Sequence, residues 1–295
     1  MKLNVVEKIR AARHEVREIN QTTKKTENHV TKLENHVTKF EKILAFERFY
    51  KIKQLLHVMQ LVGKPLVRIG KMSDGGYVMI DDFTSQKVAY SFGISDDVSW
   101  DKDMASRGYD VFMYDHTIVR LPEENIKFHW KKIGISQFDN SENCNSLKFI
   151  INENGHANQE KMILKMDVEG AEWASLSTVP SDIMNKFSQI VLEMHFGDPT
   201  GQQGFEHWVD SYYHIIKMLK NINQTHQLIH VHGNNYGHVI TAGGLDVPIS
   251  LEVLYANKAE YEFSDIEKIY PTKIDQPNNP LCPDIFLGTW NVDEL

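Results

Sequence analysis

Residues 162–173 read MILKMDVEGAEW, an apolar run that stops at Asp167 and gives way to Glu169, a glycine, Glu172 and a tryptophan. Two readings of that stop compete. If Asp167 caps a following helix, the acidic residues simply suit the positive end of the helix dipole. If the run is a strand of a parallel sheet, Asp167 stands at its C-terminal end, the edge at which open α/β sheets bind ligands.

The sequence on either side favours the sheet. VAYSFGI (88–94), DVFMYD (110–115), IKFHWKKIGI (126–135), MILKMD (162–167) and QIVLEMHF (189–196) read as strands, and HQLIHVHG (226–233) and ISLEVLYAN (249–257) as two more. Helical patterns lie between them: DVSWDKDMASRG closed by Gly108, a stretch from Trp173 to Thr178, and FEHWVDSYYHIIKMLKNI (205–222). A further helical pattern runs from Phe49 to Val62, and two short strands, LVRIG and GYVMIDD, flank the turn-rich KMSDGG. Strands alternating with helices mean an α/β fold with both sheet faces covered. No helix-length pattern separates the last two strands, which predicts an antiparallel hairpin at the end of an otherwise parallel sheet. The expected fold is a doubly wound, mostly parallel, seven-stranded Rossmann-like sheet. The proline-rich tail YPTKIDQPNNPLCPDIFLGTW is expected to wrap the surface rather than form an element.

The N-terminal 47 residues have a different texture. ENHVTKL (27–33) is followed at once by ENHVTKF (34–40), and the seven-residue period extends both ways. Ile9, Val16, Thr23, Val30, Val37 and Leu44 fall at one core position, and Val5, Ala12, Ile19, Thr26, Leu33 and Phe40 at the other. Apolar residues sustained at both heptad positions predict a coiled coil, hence a homo-oligomer formed through residues 5–44. The alternative is a solvated amphipathic helix lying on its own globular domain. The expected organisation is a coiled-coil oligomerisation helix over 1–47 and a catalytic domain over 48–295.

Bulk properties narrow the partners. The chain has 295 residues, 41% of them hydrophobic, and a formal net charge of −8. Nucleic acid is therefore not the expected partner. Two cysteines, Cys144 and Cys282, stand in no metal spacing and suggest a reducing compartment. The first twenty residues lack an apolar signal core, and no stretch approaches the ~20 apolar residues of a membrane span. A cytoplasmic protein is expected.

The strand ends suggest a ligand site. Gly93 follows the first strand and permits close backbone approach, with Phe92 beside it. No G-x-G-x-x-G occurs, so a pyrophosphate cradle is not expected and a cofactor without phosphates suits better. Asp115, followed by His116, ends the second strand, where a carboxylate can accept both ribose hydroxyls; an ordinary loop aspartate is the alternative. Gly134 and Ile135 suit an adenine, one by access and one by apolar contact.

Several of these segments together resemble the FkbM-like family of S-adenosylmethionine-dependent methyltransferases. They are RIGKMSDGGYVMIDD, YSFGISDDVSWDKDMASRGYDVFMYD, ILKMDVEGAEW, IVLEMHF, THQLIHVHGNN and the PNNP…PDIFLG tail, with LKMDVEGAE the most specific. The resemblance covers about residues 60–290, leaving out the heptad segment. It implies the class I methyltransferase fold, S-adenosyl-L-methionine as cofactor, and methyl transfer to a hydroxyl or other nucleophile of a small or saccharide acceptor. Capsular polysaccharide or cell-surface glycan tailoring is a typical setting. It also implies that Asp74, Gly75 and Tyr77 border the cofactor, although DGG would form a turn by itself. The lean SFGI departs from the glycine-rich first motif of many methyltransferases.

A hydroxyl acceptor needs a general base and exact alignment. Asp167, His195 and His232 are the expected catalytic residues, with His195 the first choice of base. Glu169, Glu193 and Asn234 are the expected acceptor contacts. Asp74, Gly75, Tyr77, Phe92, Gly93, Asp115, His116, Gly134, Ile135 and Asp167 are the expected cofactor contacts. Asp167, Glu193, His195 and His232 also have the ligand types of a divalent metal site, an open alternative with no local ligand motif behind it. Two other functions compete: a nicotinamide-dependent oxidoreductase, which Asp115 would fit, and a non-catalytic coiled-coil scaffold carrying a degenerate domain.

Overall fold

A computed structural model describes residues 46–83, 87–141, 143–196, 204–242, 245–265 and 267–292, together with 13–15, 17 and 30–32. Residues 13–15, 17 and 30–32 are helical. The expected coiled coil otherwise lies outside the described residues.

The core is one seven-stranded sheet. In chain order its strands are β1 (Val88–Phe92), β2 (Asp110–Tyr114), β3 (Phe128–Lys131), β4 (Met162–Met166), β5 (Phe187–His195), β6 (His226–Gly233) and β7 (Ser250–Asn257). They lie side by side as β3-β2-β1-β4-β5-β7-β6. The first five are mutually parallel, and β7 runs antiparallel to both β5 and β6. The expected antiparallel ending is therefore present, with β7 inserted between its neighbours. The order reverses direction between β1 and β4, which makes the crevice beyond these two strands the switch point of the sheet.

Helices cover the sheet: α1 (residues 46–55), α2 (Ser99–Ser106), α3 (Leu147–Glu153), α4 (Ala171–Ser177), the short α5 (Ser181–Met184) and α6 (Gly204–Thr225). Strand alternation divides the core into two layers. Tyr90 and Phe92 of β1, Leu164 and Met166 of β4, and Ile190, Leu192 and Met194 of β5 pack with Trp173, Ile215 and Leu219 on one face. Ala89, Val111, Ile163 and Val191 pack with Trp100 and Met104 on the other. On that second face the same alternation also places Lys165, Gln189 and Glu193, all buried. Its cover is the antiparallel hairpin Leu66–Ile69/Tyr77–Ile80, stapled down by Gln189, whose Oε1 accepts from Ile80 N at 2.8 Å.

Four expectations change. The helical pattern from Phe49 ends at residue 55, after which Gln60–Leu61 pairs antiparallel with Phe263–Ser264. Asn291 holds the exit by accepting from Val58 N and donating to its carbonyl. The third strand stops at Lys131; Gly134–Ile135 leaves the sheet and pairs in parallel with Cys144–Asn145. Helix α3, unread in the sequence, starts where Ser146 caps it by accepting from Phe149 N at 3.2 Å. The tail contributes one short ladder, Ile269–Tyr270 with Gly288–Thr289, and otherwise runs irregularly.

Candidate active site

Asp167 is not a helix cap. The cap position of α4 is Gly170 at φ 98°, with no side-chain bond, and Asp167 lies at the end of β4, its N–H donating to Phe92 O at 3.0 Å. Beside it, at the end of β1, Gly93 has φ 77°, and a Cβ built there would stand 1.5 Å from the Asp167 carbonyl oxygen. The close approach that glycine allows is thus made by the neighbouring backbone rather than by a ligand.

These two strand ends open onto a chamber of about 380 Å³. All ten residues expected to touch a cofactor line it: Asp74, Gly75, Tyr77, Phe92, Gly93, Asp115, His116, Gly134, Ile135 and Asp167. Its electrostatic character is strongly negative. Asp74, Asp96, Asp97, Asp101, Asp115, Asp167 and Glu169 supply seven carboxylates, against one lysine, Lys165. Burial pushes Asp101 up to about 6 and raises Asp74.

Asp115 does more than wait for a ribose. Its Oδ2 accepts from Ile94 N and Ser95 N, each at 2.9 Å, and its Oδ1 accepts from Thr117 N at 2.8 Å and Thr117 Oγ1 at 2.6 Å. Burial works against its ionisation, but these donors outweigh it and bring the carboxyl down to about 2. The residue staples the loop after β1 into shape. Across the chamber, Gly75 at φ 84° faces Asp97, whose carboxylate pairs with Lys71 at 3.1 Å.

Lys165 passed unnoticed in the sequence because it sits inside an apolar run. Its ammonium donates to Gly93 O at 2.6 Å and lies 4.0 Å from Asp167 Oδ2 and 5.6 Å from the Tyr77 ring centre. Tyr77 in turn donates its hydroxyl to Asp167 Oδ2 at 3.0 Å. The Asp167 carboxylate is therefore held in place from two sides.

Asp74, Asp167 and Glu169 also line a second hollow of about 230 Å³, which includes Glu193, His195, Asn234, Tyr236 and Ser250. The acceptor contacts expected from the sequence, Glu169, Glu193 and Asn234, are all here, as is His195. The imidazole lies among four carboxylates. Nδ1 is 3.3 Å from Glu172 Oε1, and Nε2 is 3.5 Å from Glu169, 3.7 Å from Glu193 and 3.9 Å from Asp167. Burial alone would depress its pKa; the Glu172 hydrogen bond and charge, then Glu193 and Asp167, reverse this and raise it. Glu193 is raised too, by burial first and then by the Asp167 charge, although Asn234 Nδ2 and Ser250 Oγ donate to its Oε1 at 2.7 and 2.6 Å.

Glu172, expected only to start and pack a helix, is fully buried and belongs to this cluster. Its Oε1 accepts from His195 N at 2.8 Å and its Oε2 from Gly170 N at 2.9 Å. Glu169 is held at φ 53°, a conformation few non-glycine residues adopt, and keeps its carboxylate near His195.

The structure places His232 apart from the other expected catalytic residues. It is 1% exposed and lines neither chamber. Its Nδ1 lies 3.0 Å from Glu252 Oε2 and its Nε2 3.0 Å from Asp284 Oδ1, so both ring nitrogens are engaged. His230, one alternation back, is likewise tied to Asp275 at 2.7 Å. The tail reaches this layer at a third point: Asn278 Nδ2 donates to Asp74 Oδ1 at 3.1 Å and to Glu252 Oε1 at 2.5 Å.

Among the described residues, two groups present ligand atoms within 4.8 Å of one another: Asp167, Glu193 and His195, and Asp74, Glu193 and Glu252. Either could hold a divalent cation. His232, the fourth expected ligand, is in neither group.

No family model matches the chain, and no curated protein matches it. Among solved structures, "Putative hemolysin from Streptococcus thermophilus" is similar at a TM-score of 0.33 and 10% identity, over 70% of this chain and 74% of that one. A likeness of that size transfers neither fold nor function.

Proposed function

We propose that this chain is an S-adenosyl-L-methionine-dependent methyltransferase acting on a hydroxyl, or another oxygen or nitrogen nucleophile, of a small or saccharide acceptor. The observation that carries this is the strand-edge chamber with seven carboxylates and one lysine, joined through Asp167 to the hollow that contains His195. A negative chamber favours a cationic ligand and opposes a pyrophosphate, which disfavours the nicotinamide reading. The strand order with an antiparallel β7 is the one found in class I methyltransferases, and the motif resemblance to the FkbM-like family points the same way. Capsule or surface-glycan tailoring remains the setting that resemblance suggests, and oligomerisation through residues 5–44 the role of the heptads.

The residues fit the cofactor chemically. Asp115 and the loop it staples would face the ribose, Gly134 and Ile135 the adenine, and Asp167 and Glu169 the cationic end. The cofactor would supply an electrophilic methyl group. Everything else falls to the chain. Tyr77 and Lys165 fix Asp167 at the junction of the two chambers, so that an acceptor oxygen in the second hollow is aligned with the first. His195 holds its proton because carboxylates surround it. A cationic ligand held against Asp167 and Glu169 would offset part of that field and lower the proton affinity of the imidazole, so that His195 could release its proton to solvent and, once neutral, accept the acceptor's proton. Base activation is thereby tied to cofactor binding.

Calorimetric titration tests the reading. S-adenosylmethionine and S-adenosylhomocysteine are expected to bind and NAD not to. Failure of both sulfur compounds to bind would refute it and leave the scaffold reading.

A further inference from the structure

A further hollow of about 570 Å³ is neither of the two chambers and shares no lining residue with them. It lies where residues 59–66 meet β6 and the tail segment 268–274. Its character is the reverse of theirs. The lining includes three lysines, Lys64, Lys268 and Lys273, and no carboxylate, in a chain with a net charge of −8. Leu61 and Ile229 are buried in it and supply apolar surface together with Leu66.

The lysines are not equally engaged. Lys64 pairs with Asp82 at 3.1 Å. Among the described residues, no ion pair engages Lys268 or Lys273, and the Lys268 ammonium lies 5.9 Å from the centre of the Tyr270 ring. Tyr270 is 2% exposed, and its hydroxyl has no hydrogen-bond partner among the described residues. Tyr270 and Lys268 also line a smaller adjoining hollow of about 190 Å³, whose one carboxylate is Glu267. Two unpaired ammonium groups beside an aromatic ring and an apolar floor match an anion carried on a body with an apolar face.

We infer that this groove is a second binding site, for a soluble phosphate ester whose phosphate lies between Lys268 and Lys273 and whose body rests on Leu61, Leu66 and Tyr270. The groove is connected to the proposed active site through its own backbone. Thr272 donates its N–H and hydroxyl to Asp275 Oδ2, whose other oxygen meets His230, and three residues on Asn278 bonds to Asp74. The assignment stands whether or not the protein transfers methyl groups, because none of the groove's residues belongs to the chambers.

The test is calorimetric titration of the full-length protein with inorganic phosphate and with glucose 1-phosphate, alongside co-sedimentation with phosphatidylcholine vesicles with and without phosphatidylglycerol. Glucose 1-phosphate is expected to bind more tightly than inorganic phosphate. The double variant Lys268→Gln, Lys273→Gln is expected to weaken that binding at least tenfold with an unchanged melting temperature. The proposal is overturned if neither soluble probe binds at millimolar concentration, or if the double variant binds as the wild type does. Binding to the anionic vesicles alone would assign the groove to a membrane surface and overturn it as well.

Discussion

His195 and His232 occupy equivalent ground: both sit on the same face of one sheet, both are ringed by carboxylates, and both are shifted upward in pKa. Their partners differ in how they are held. His232 is clamped between Glu252 and Asp284 at 3.0 Å on each side, with 1% exposure. The outer nitrogen of His195 lies 3.5–3.9 Å from three carboxylates and opens onto a hollow. One arrangement is complete, and the other leaves room for something to enter. Residue type and charge alone do not separate a histidine with both nitrogens engaged from one open to a hollow; the distance to the partners does.

Substitution should break the pair apart. Asp167→Asn or His195→Gln is expected to lower turnover by ~10²–10⁴-fold, and the Asp167→Asn protein should keep a denaturation midpoint near that of the wild type. His232→Gln is expected to do the opposite, costing about 3–5 kcal/mol of stability by leaving Glu252 and Asp284 with an uncompensated buried charge. Chemical denaturation and initial rates on the same preparations check both. An Asp167→Asn protein that unfolds but keeps its specific activity would return that residue to a purely structural role.

Acidity sharpens the contrast further. Burial pulls His232 down, but its hydrogen bonds to Asp284 and Glu252 carry it up to about 10, above the ~6.5 of an unfolded chain. A group whose folded pKa is raised contributes stability that is full below the unfolded value and is lost as pH rises through the folded one. The stability gap between wild type and His232→Gln should therefore be widest near pH 6 and close as pH climbs from about 6.5 to 10. A gap that stays constant across that window would mean His232 is neutral when folded.

The smallest effect is expected from chelation. With His195 acting as base, EDTA should leave turnover unchanged. A loss restored by Mg²⁺ or Mn²⁺ would instead turn the His195 cluster into a metal site built on Asp167 and Glu193.

Much of this molecule was legible along the chain. The strands and the candidate cofactor residues follow from periodicity and from the rule that sites gather at strand ends, because each is a local pattern feeding a fixed topology. Asp74 and Tyr77 followed only from family resemblance. The second hollow was half visible. Glu193, His195 and Asn234 stand near strand ends, but Glu172 looked like an ordinary first-turn glutamate and Lys165 like an interruption of an apolar run. What they do depends on which strand lies beside which, and periodicity carries no information about that. Nor does periodicity reveal what engages His232: its partners Glu252 and Asp284 are 20 and 52 residues away. The tail looked like wrapping, yet Asp275, Asn278 and Asp284 complete the polar layer beneath the site. Only the alternation of β6 hinted that such a layer existed.

The bond from Asn278 to Asp74 joins residues 204 positions apart. A chain synthesised only as far as Asn257 possesses all seven strands but lacks the tail side chain that ties Asp74 to Glu252. The wall between the two chambers is thus completed only after the whole sheet has been made. Synthesis itself imposes an order in which the scaffold precedes the complete site, and a chain cut short after the sheet would leave those two carboxylates facing one another without the amide that now separates them.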